Sequence, residues 1–468
     1  MTEILIAAGG VLAILVVGFY GLRFGAVRPH QRREWVASGL FLVATLSPIA
    51  VTLLSPRSGT GDGFSEFSEA PQGPAVSLII HGVGYIFLAC AALLVLTQID
   101  RGLILPAPAL GMVAYAGAGW VSSLVNDQRV SIDLFYAALA VTSILTATSV
   151  SLSHALRLTR VTLRVYVWLS LFLAVAAPHL AFWDGQGRTW FGLSQLAGVT
   201  THPNGMGTVA ALAVIVELIR VEALKRPKVW HLLAAIIALL ATQSRGAWLS
   251  ALVGVLVYLG FRTGVRWVTI AVPVIMLLLL AASTLLENAF DAISHWSAGG
   301  DISTLNGRTT IWTNALEAVR HSPVFGTGPR SFDLEYRSKV LGLGDLISSS
   351  NAHNQFVQTL VERGALGLVV LMVFLIVLTR SALQVKNPTR AGLLAVLAVF
   401  IARFAVETPL NISTASLNGA LLVVVTVLVA AASNQPHVQG TAKPSTPAVR
   451  LPNIYDPLLR TQASARKK

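Results

Sequence analysis

The chain has 468 residues, of which 54% are hydrophobic and only 12% charged, with a mean hydropathy of +0.69. A soluble protein of this size cannot cover so much apolar surface, and continuous apolar runs exclude a barrel built from alternating strands of about ten residues. The expectation is an all-α polytopic membrane protein.

Windows of about 19 residues predict spans at 3–22, 35–55, 76–97, 103–125, 130–150, 162–182, 203–219, 229–243, 247–261, 267–286, 355–379, 391–409 and 414–432. That gives about 12 or 13 transmembrane helices, depending on how the first segment and the short pair at 229–261 are taken. The first segment, ILIAAGGVLAILVVGFYGL, has no basic residue before it and no small-residue cleavage site, so it reads as a retained helix. The single cysteine, Cys90, lies inside an apolar run, which excludes disulfides and argues against a thiolate nucleophile. The organisation is then a bundle of about 10 helices over 1–286, a large hydrophilic loop over 287–353, C-terminal helices over 354–432 and a basic tail over 433–468. The tail is rich in Pro, Ser and Thr and reads as disordered. No internal repeat of fixed period is visible.

The net charge of +13 is a signal of sidedness. One alternating set of connections holds Arg23, Arg28, Arg32, Arg33, Arg101, Arg157, Arg160, Arg164, Arg220, Lys225, Arg226, Lys228, Arg262, Arg266, Arg380, Lys386 and Arg390, and the tail adds six more basic side chains. The only acids on that side are Glu34, Asp100, Glu217, Glu222 and Asp456. The positive-inside rule makes this set cytoplasmic, and the large loop faces outward. A nucleic-acid partner is not needed to explain the charge. Both loops flanking the short pair are basic, so an even number of crossings separates them.

Four polar features fall on the outward side. THPNGMG carries His202, Pro203, Asn204 and Gly205 at the start of a span, which fits either a capping turn or a site lining. TQSRGAWLS puts Arg245 at the turn between two short spans, where an arginine is costly unless it is paired, lines a wet cavity or snorkels. In the large loop, NGRTTIWTNALEAVRHSPVFGTGPRSF opens at a turn. It continues from Arg308 as an amphipathic helix with Ile311, Ala315 and Val319 on one stripe, suited to a membrane surface, and ends in a Gly-rich turn before Arg330. In SSSNAHNQFVQTLVERGALGL, Asn351 is placed to cap a helix starting near Ala352, with His353 and Asn354 in its first turn. Arginines, amides and a helix N-terminus on one membrane face together make a receptor for phosphate, with a histidine beside it able to accept a proton. No Asp/Glu/His cluster has metal-ligand spacing, so the site is expected to work without a metal.

In the order HPNGMG, QSRGAWLS, NGRTTIW, GTGPRSF and AHNQFVQTLVERGALGL, the chain resembles the O-antigen ligase and polymerase superfamily of bacterial envelope glycosyltransferases. The resemblance covers roughly residues 190–375. It implies a C-type glycosyltransferase architecture in the bacterial cytoplasmic membrane. It also implies an inverting transfer of a glycan from undecaprenyl pyrophosphate to an acceptor glycan or lipid at the outer face, with no cofactor. By this resemblance His353 is the catalytic histidine and Arg245 and Arg308 are pyrophosphate-binding arginines. His202, Asn204, Arg330 and Asn354 line the substrate site. A transporter or flippase for an anionic or lipid-linked substrate is the alternative, although no repeat symmetry supports it.

Overall fold

A computed structural model of the chain describes residues 29–54, 106–128, 131–183, 194–219, 229–264, 308–333, 336, 340–341, 351–386, 389–412 and 416–433. The expected spans at 3–22, 76–97 and 267–286 lie outside these residues, as do Cys90, much of the large loop and the tail beyond Ser433. Each of the other expected spans is a helix: α1 (Pro29–Leu54), α2 (Ala107–Val125), α3 (Ser131–Ser149), α4 (Leu152–Ala176), α6 (Pro203–Leu218), α7 (Val229–Ala241), α8 (Arg245–Thr263), α10 (Gln355–Leu383), α11 (Thr389–Phe404) and α12 (Leu417–Ser433). Between them stand the single turn α5 (Pro178–Ala181), the two-residue strands β1 (Phe182–Trp183) and β2 (Gln195–Leu196), paired antiparallel, and the loop helix α9 (Arg308–His321). Among the described residues, 5 helices are long and apolar enough to cross a membrane. The protein is an all-α polytopic membrane protein.

Helix α12 has the most uniform surroundings. Its residues from Gly419 to Ala432 are buried on every side, and it packs against α1, α3 and α4 as well as α10 and α11. A helix apolar around its whole circumference belongs at the centre of a bundle. Several hydroxyl side chains inside the apolar helices are bonded locally. In α3, Thr142, Ser143 and Thr146 each donate to the carbonyl four residues before them, which removes the cost of burying an unpaired hydroxyl.

Three boundaries differ from expectation. The span expected at 162–182 begins ten residues earlier, at Leu152, so Arg157, Arg160 and Arg164 lie on α4 and not in a connection. The charges are tolerated there because Arg164 grips Glu217 through Nε–Oε1 at 2.6 Å and Nη2–Oε2 at 2.8 Å. Arg160 Nη2 donates to the Ile219 carbonyl at 2.5 Å, meeting an orphan acceptor at the end of α6. The span expected at 391–409 ends as a helix at Phe404, and a turn follows through Glu407.

The third difference lies within α10. The helix is broken at Gly364, whose φ of 63° and ψ of −163° are not helical. Four of the backbone groups freed by the break are taken by the loop segment 322–332. Ala365 and Leu366 N–H donate to the carbonyls of Pro323 and Val324 at 2.8 and 3.1 Å, and Thr327 and Gly328 N–H donate to those of Val361 and Glu362 at 2.7 and 3.1 Å. Ser122 of α2 adds a hydroxyl bond to the Glu362 carbonyl at 2.6 Å. Irregular backbone survives at membrane depth only where protein satisfies it in this way. Gly326 and Gly364 lie back to back: a Cβ on Gly326 would stand 2.5 Å from the backbone nitrogens of Arg363 and Gly364, and one on Gly364 would strike the Val324 carbonyl.

Helix α9 is amphipathic as expected, but its stripe is covered by protein and not by a lipid surface. Ile311, Ala315 and Ala318 are buried with Phe332, Leu341, Ala352 and Val361 in a small core of their own.

Candidate functional site

The N-termini of α6, α8 and α10 meet at the turn that follows α11. His202 is the N-cap of α6, its Nδ1 accepting from Asn204 N–H at 3.1 Å, with Pro203 in the first turn. The capping reading of this motif holds for His202, while Asn204 points its amide across the bundle. Asn204 Nδ2 donates to Glu407 Oε1 at 2.6 Å, and its Oδ1 accepts from Ser244 Oγ at 2.8 Å. Ser244 is the N-cap residue of α8. Arg245, half-buried, is the first residue of that helix. The following Gly246 lets α11 approach: a Cβ there would lie 2.9 Å from Arg403 Nη1 and 3.1 Å from Val406 Cγ2.

Helix α10 starts one turn later than expected. Asn354, and not Asn351, is its N-cap, with Oδ1 accepting from Phe356 and Val357 N–H at 3.0 and 3.1 Å. A cap must be followed directly by helical residues, and His353 is not helical, with a φ of 47°. Asn351 instead turns the chain before the cap, its Oδ1 accepting from His353 N–H at 2.8 Å. Asn354 Nδ2 reaches the Ala405 carbonyl at 3.4 Å. His353 thus stands just outside the helix, its Nδ1 3.4 Å from Glu407 Oε2. Its side chain is 18% exposed and that of Glu407 15%.

Glu407 is the residue on which these elements converge. One oxygen takes the Asn204 amide, the other faces His353, and Arg403 Nη2 stands 3.7 Å away. Arg403 is 2% exposed and also donates to the Asn204 carbonyl at 3.4 Å. Three helix N-termini carry roughly half a positive charge each, and Arg403 adds a full one, against one carboxylate. The surroundings therefore retain a positive excess with Glu407 ionised, which is the charge a diphosphate needs.

Neither Glu407 nor Arg403 stood out among the sequence motifs. The signal was present as RFAVE, an arginine and a glutamate four residues apart within an apolar run. Ionisable residues in such a run mark function by default.

The other expected site residues are placed as follows. Arg308 is the first residue of α9, and its side chain lies outside the described residues. Arg330 is engaged within the docked loop: Nε binds Asp333 Oδ2 at 2.7 Å, and the guanidinium lies 5.2 Å from the Tyr336 ring centroid. Gln128 Oε1 accepts from its backbone N–H at 3.0 Å. His202 has Trp183 of β1 against it, with ring centroids 5.0 Å apart at 68°. The structure therefore brings Asn204 and His353 onto one carboxylate, with His202, Arg245 and Asn354 as their immediate neighbours.

Residues 230–372 match the family model described as O-Antigen ligase. That stretch contains Arg245, Arg308, Arg330, His353 and Asn354, and stops short of Arg403 and Glu407. The chain is 25% identical over 241 residues to the exopolysaccharide production protein ExoQ of Rhizobium meliloti (strain 1021), covering 46% of this chain and 54% of that protein. It is 31% identical over 101 residues to an uncharacterized protein of Haemophilus influenzae (strain ATCC 51907 / DSM 11121 / KW20 / Rd), covering 21% of this chain and 25% of that one. The chain thus spans about half and a quarter of the length of these two relatives.

Proposed function

We propose that this chain, which carries a region of the O-antigen ligase family, is a metal-independent glycosyltransferase. It moves a glycan from undecaprenyl pyrophosphate to an acceptor glycan or lipid at the outer face of the bacterial cytoplasmic membrane. The observation that carries the reading is the meeting of three helix N-termini around the His353–Glu407 pair. It supplies an anion-favouring pocket and a proton acceptor together.

In this reading the acceptor hydroxyl attacks the anomeric carbon as the bond to the pyrophosphate breaks. One displacement inverts that centre. Glu407 faces Nδ1, so it holds a proton on that nitrogen and leaves Nε2 to take the hydroxyl proton. The carboxylate then stabilises the imidazolium that forms. The charge growing on the leaving pyrophosphate is met by Arg245 and Arg308. Arg403 and the helix N-termini act on the same charge. His202, Asn204, Arg330 and Asn354 line or brace the site around the substrate, and no cofactor takes part.

The test is transfer from purified lipid-linked glycan in detergent. His353→Ala is expected to lower kcat by about 10²–10⁴. A His353→Ala protein with the wild-type rate would remove the histidine from the mechanism.

A further inference from the structure

The backbone around His353 is held by side chains from three places. Ala352 N–H donates to Gln358 Oε1 at 2.7 Å. The Ala352 carbonyl accepts from the indole Nε1–H of Trp312 at 2.8 Å. His353 N–H donates to Asn351 Oδ1 at 2.8 Å. The last two bonds seize the same peptide unit, one at its oxygen and one at its nitrogen. It is the unit that enters His353.

That unit needs holding. His353 has a φ of 47°, a left-handed conformation that a residue with a Cβ holds only where its surroundings compel it. If the peptide turned, the imidazole would swing away from Glu407. Local chain alone supplies Asn351. The Trp312 bond is different in kind, because Trp312 belongs to α9, 40 residues earlier in the chain. It lies one turn after Arg308, at the start of the same helix. Trp312 packs at the margin of the small core that contains Ile311, Ala315 and Ala352. Ring packing there would be served by any aromatic side chain. Only the N–H explains the bond to Ala352.

We propose that Trp312 is a positioning residue. Through its indole N–H it fixes the peptide unit that enters His353, and so sets the imidazole in register with the helix that begins at Arg308. The proposal rests on the reading of His353 as the base.

Trp312→Phe keeps an aromatic ring against the small core but removes the N–H donor together with part of the indole's bulk. In the detergent assay kcat should fall about tenfold, since small misplacements of a reacting group cost this much or more. KM for the lipid-linked donor should stay at its wild-type value, and the melting temperature should fall by no more than the loss of one buried hydrogen bond explains. In a His353→Ala background the same substitution should leave the residual rate unchanged, because Trp312 acts only through the histidine. An unaltered kcat in Trp312→Phe would overturn the proposal. So would a fall in kcat matched by a larger fall in melting temperature, or an undiminished effect in the His353→Ala background. The two readings fail separately. A fully active His353→Ala protein removes the base itself, whereas a disabled His353→Ala protein beside a fully active Trp312→Phe protein removes only the role of Trp312.

Discussion

Glu407 makes two different kinds of contact, and they predict different things. Toward Asn204 it accepts a short bond from a neutral amide. Toward His353 and Arg403 it offers charge. Glu407→Gln keeps the shape and removes the charge, and its amide can present the wrong group to Nδ1. The expected result is a loss in kcat of about a hundredfold or more, by analogy with other carboxylates that orient a catalytic imidazole. Donor binding, measured separately as a dissociation constant, should hold or tighten, because the removed charge repels a diphosphate. A Gln variant that binds donor more weakly and turns it over normally would show that the carboxylate serves binding and not the histidine. At this scale the sequence was legible for Asn204, His353 and Arg245, whose short motifs combine turn formers with chemistry. It was not legible for Glu407. That residue stands 54 positions beyond His353, and Asn204 and His353 reach it from distant parts of the chain, so the RFAVE pattern could mark it as unusual but not say what it serves. Asn351 and Asn354 show the same limit more finely. Both are good caps by composition, and only the backbone of His353 decides between them.

The elements divide according to what they take from their own sequence. α6, α7, α8 and α12 are found where apolar content predicts them, because burial in lipid or protein leaves a helix as the cheapest way to satisfy a backbone. Helix α10 is also found where a span is expected, yet it is broken, and the reason lies in the segment 322–332 that inserts its backbone at Gly364. Apolar periodicity cannot report a bond to a distant loop. Gly364→Ala tests the break. The substitution sets a Cβ against the Val324 carbonyl at a φ of 63°. Backbone strain alone costs about 1–3 kcal/mol, and the collision adds to it. The expected outcome is a protein with a lower melting temperature and poor recovery from the membrane. Gly39 offers a control, since a Cβ there meets nothing within 4 Å. If Gly364→Ala and Gly39→Ala behaved alike, the docked loop would not be what stabilises the break.

Across the whole molecule, two ends can be told apart. α6 and α8 both begin at the Glu407 cluster. At their far ends lie Glu217, gripped by Arg164, and Arg262. Among the described residues, the basic side chains Arg164 and Arg262 therefore stand at the end of the bundle opposite His353, although Arg164 rides on a helix and not in a connection. With the positive-inside rule this arrangement predicts that the His353 end faces outward. In a Cys90→Ser background, a cysteine replacing the exposed Val324 should react with a membrane-impermeant maleimide on intact spheroplasts. One replacing Thr263, exposed at the far end of α8, should react only after the membrane is opened. The reverse pattern would turn the molecule over and place the chemistry in the cytoplasm.

The break in α10 also constrains how the protein is made. Residues 322–332 leave the ribosome before 355–383, so the loop is already outside the translocon when the helix it completes is still being threaded. If the break is already present before the two meet, the Ala365 and Leu366 amides lack these partners in a segment bound for the bilayer, a state that lipid penalises by several kcal/mol per group. The helix therefore has reason to stay beside the translocon until the loop arrives, which makes this junction a late step in membrane insertion and the one at which synthesis and assembly have to keep pace.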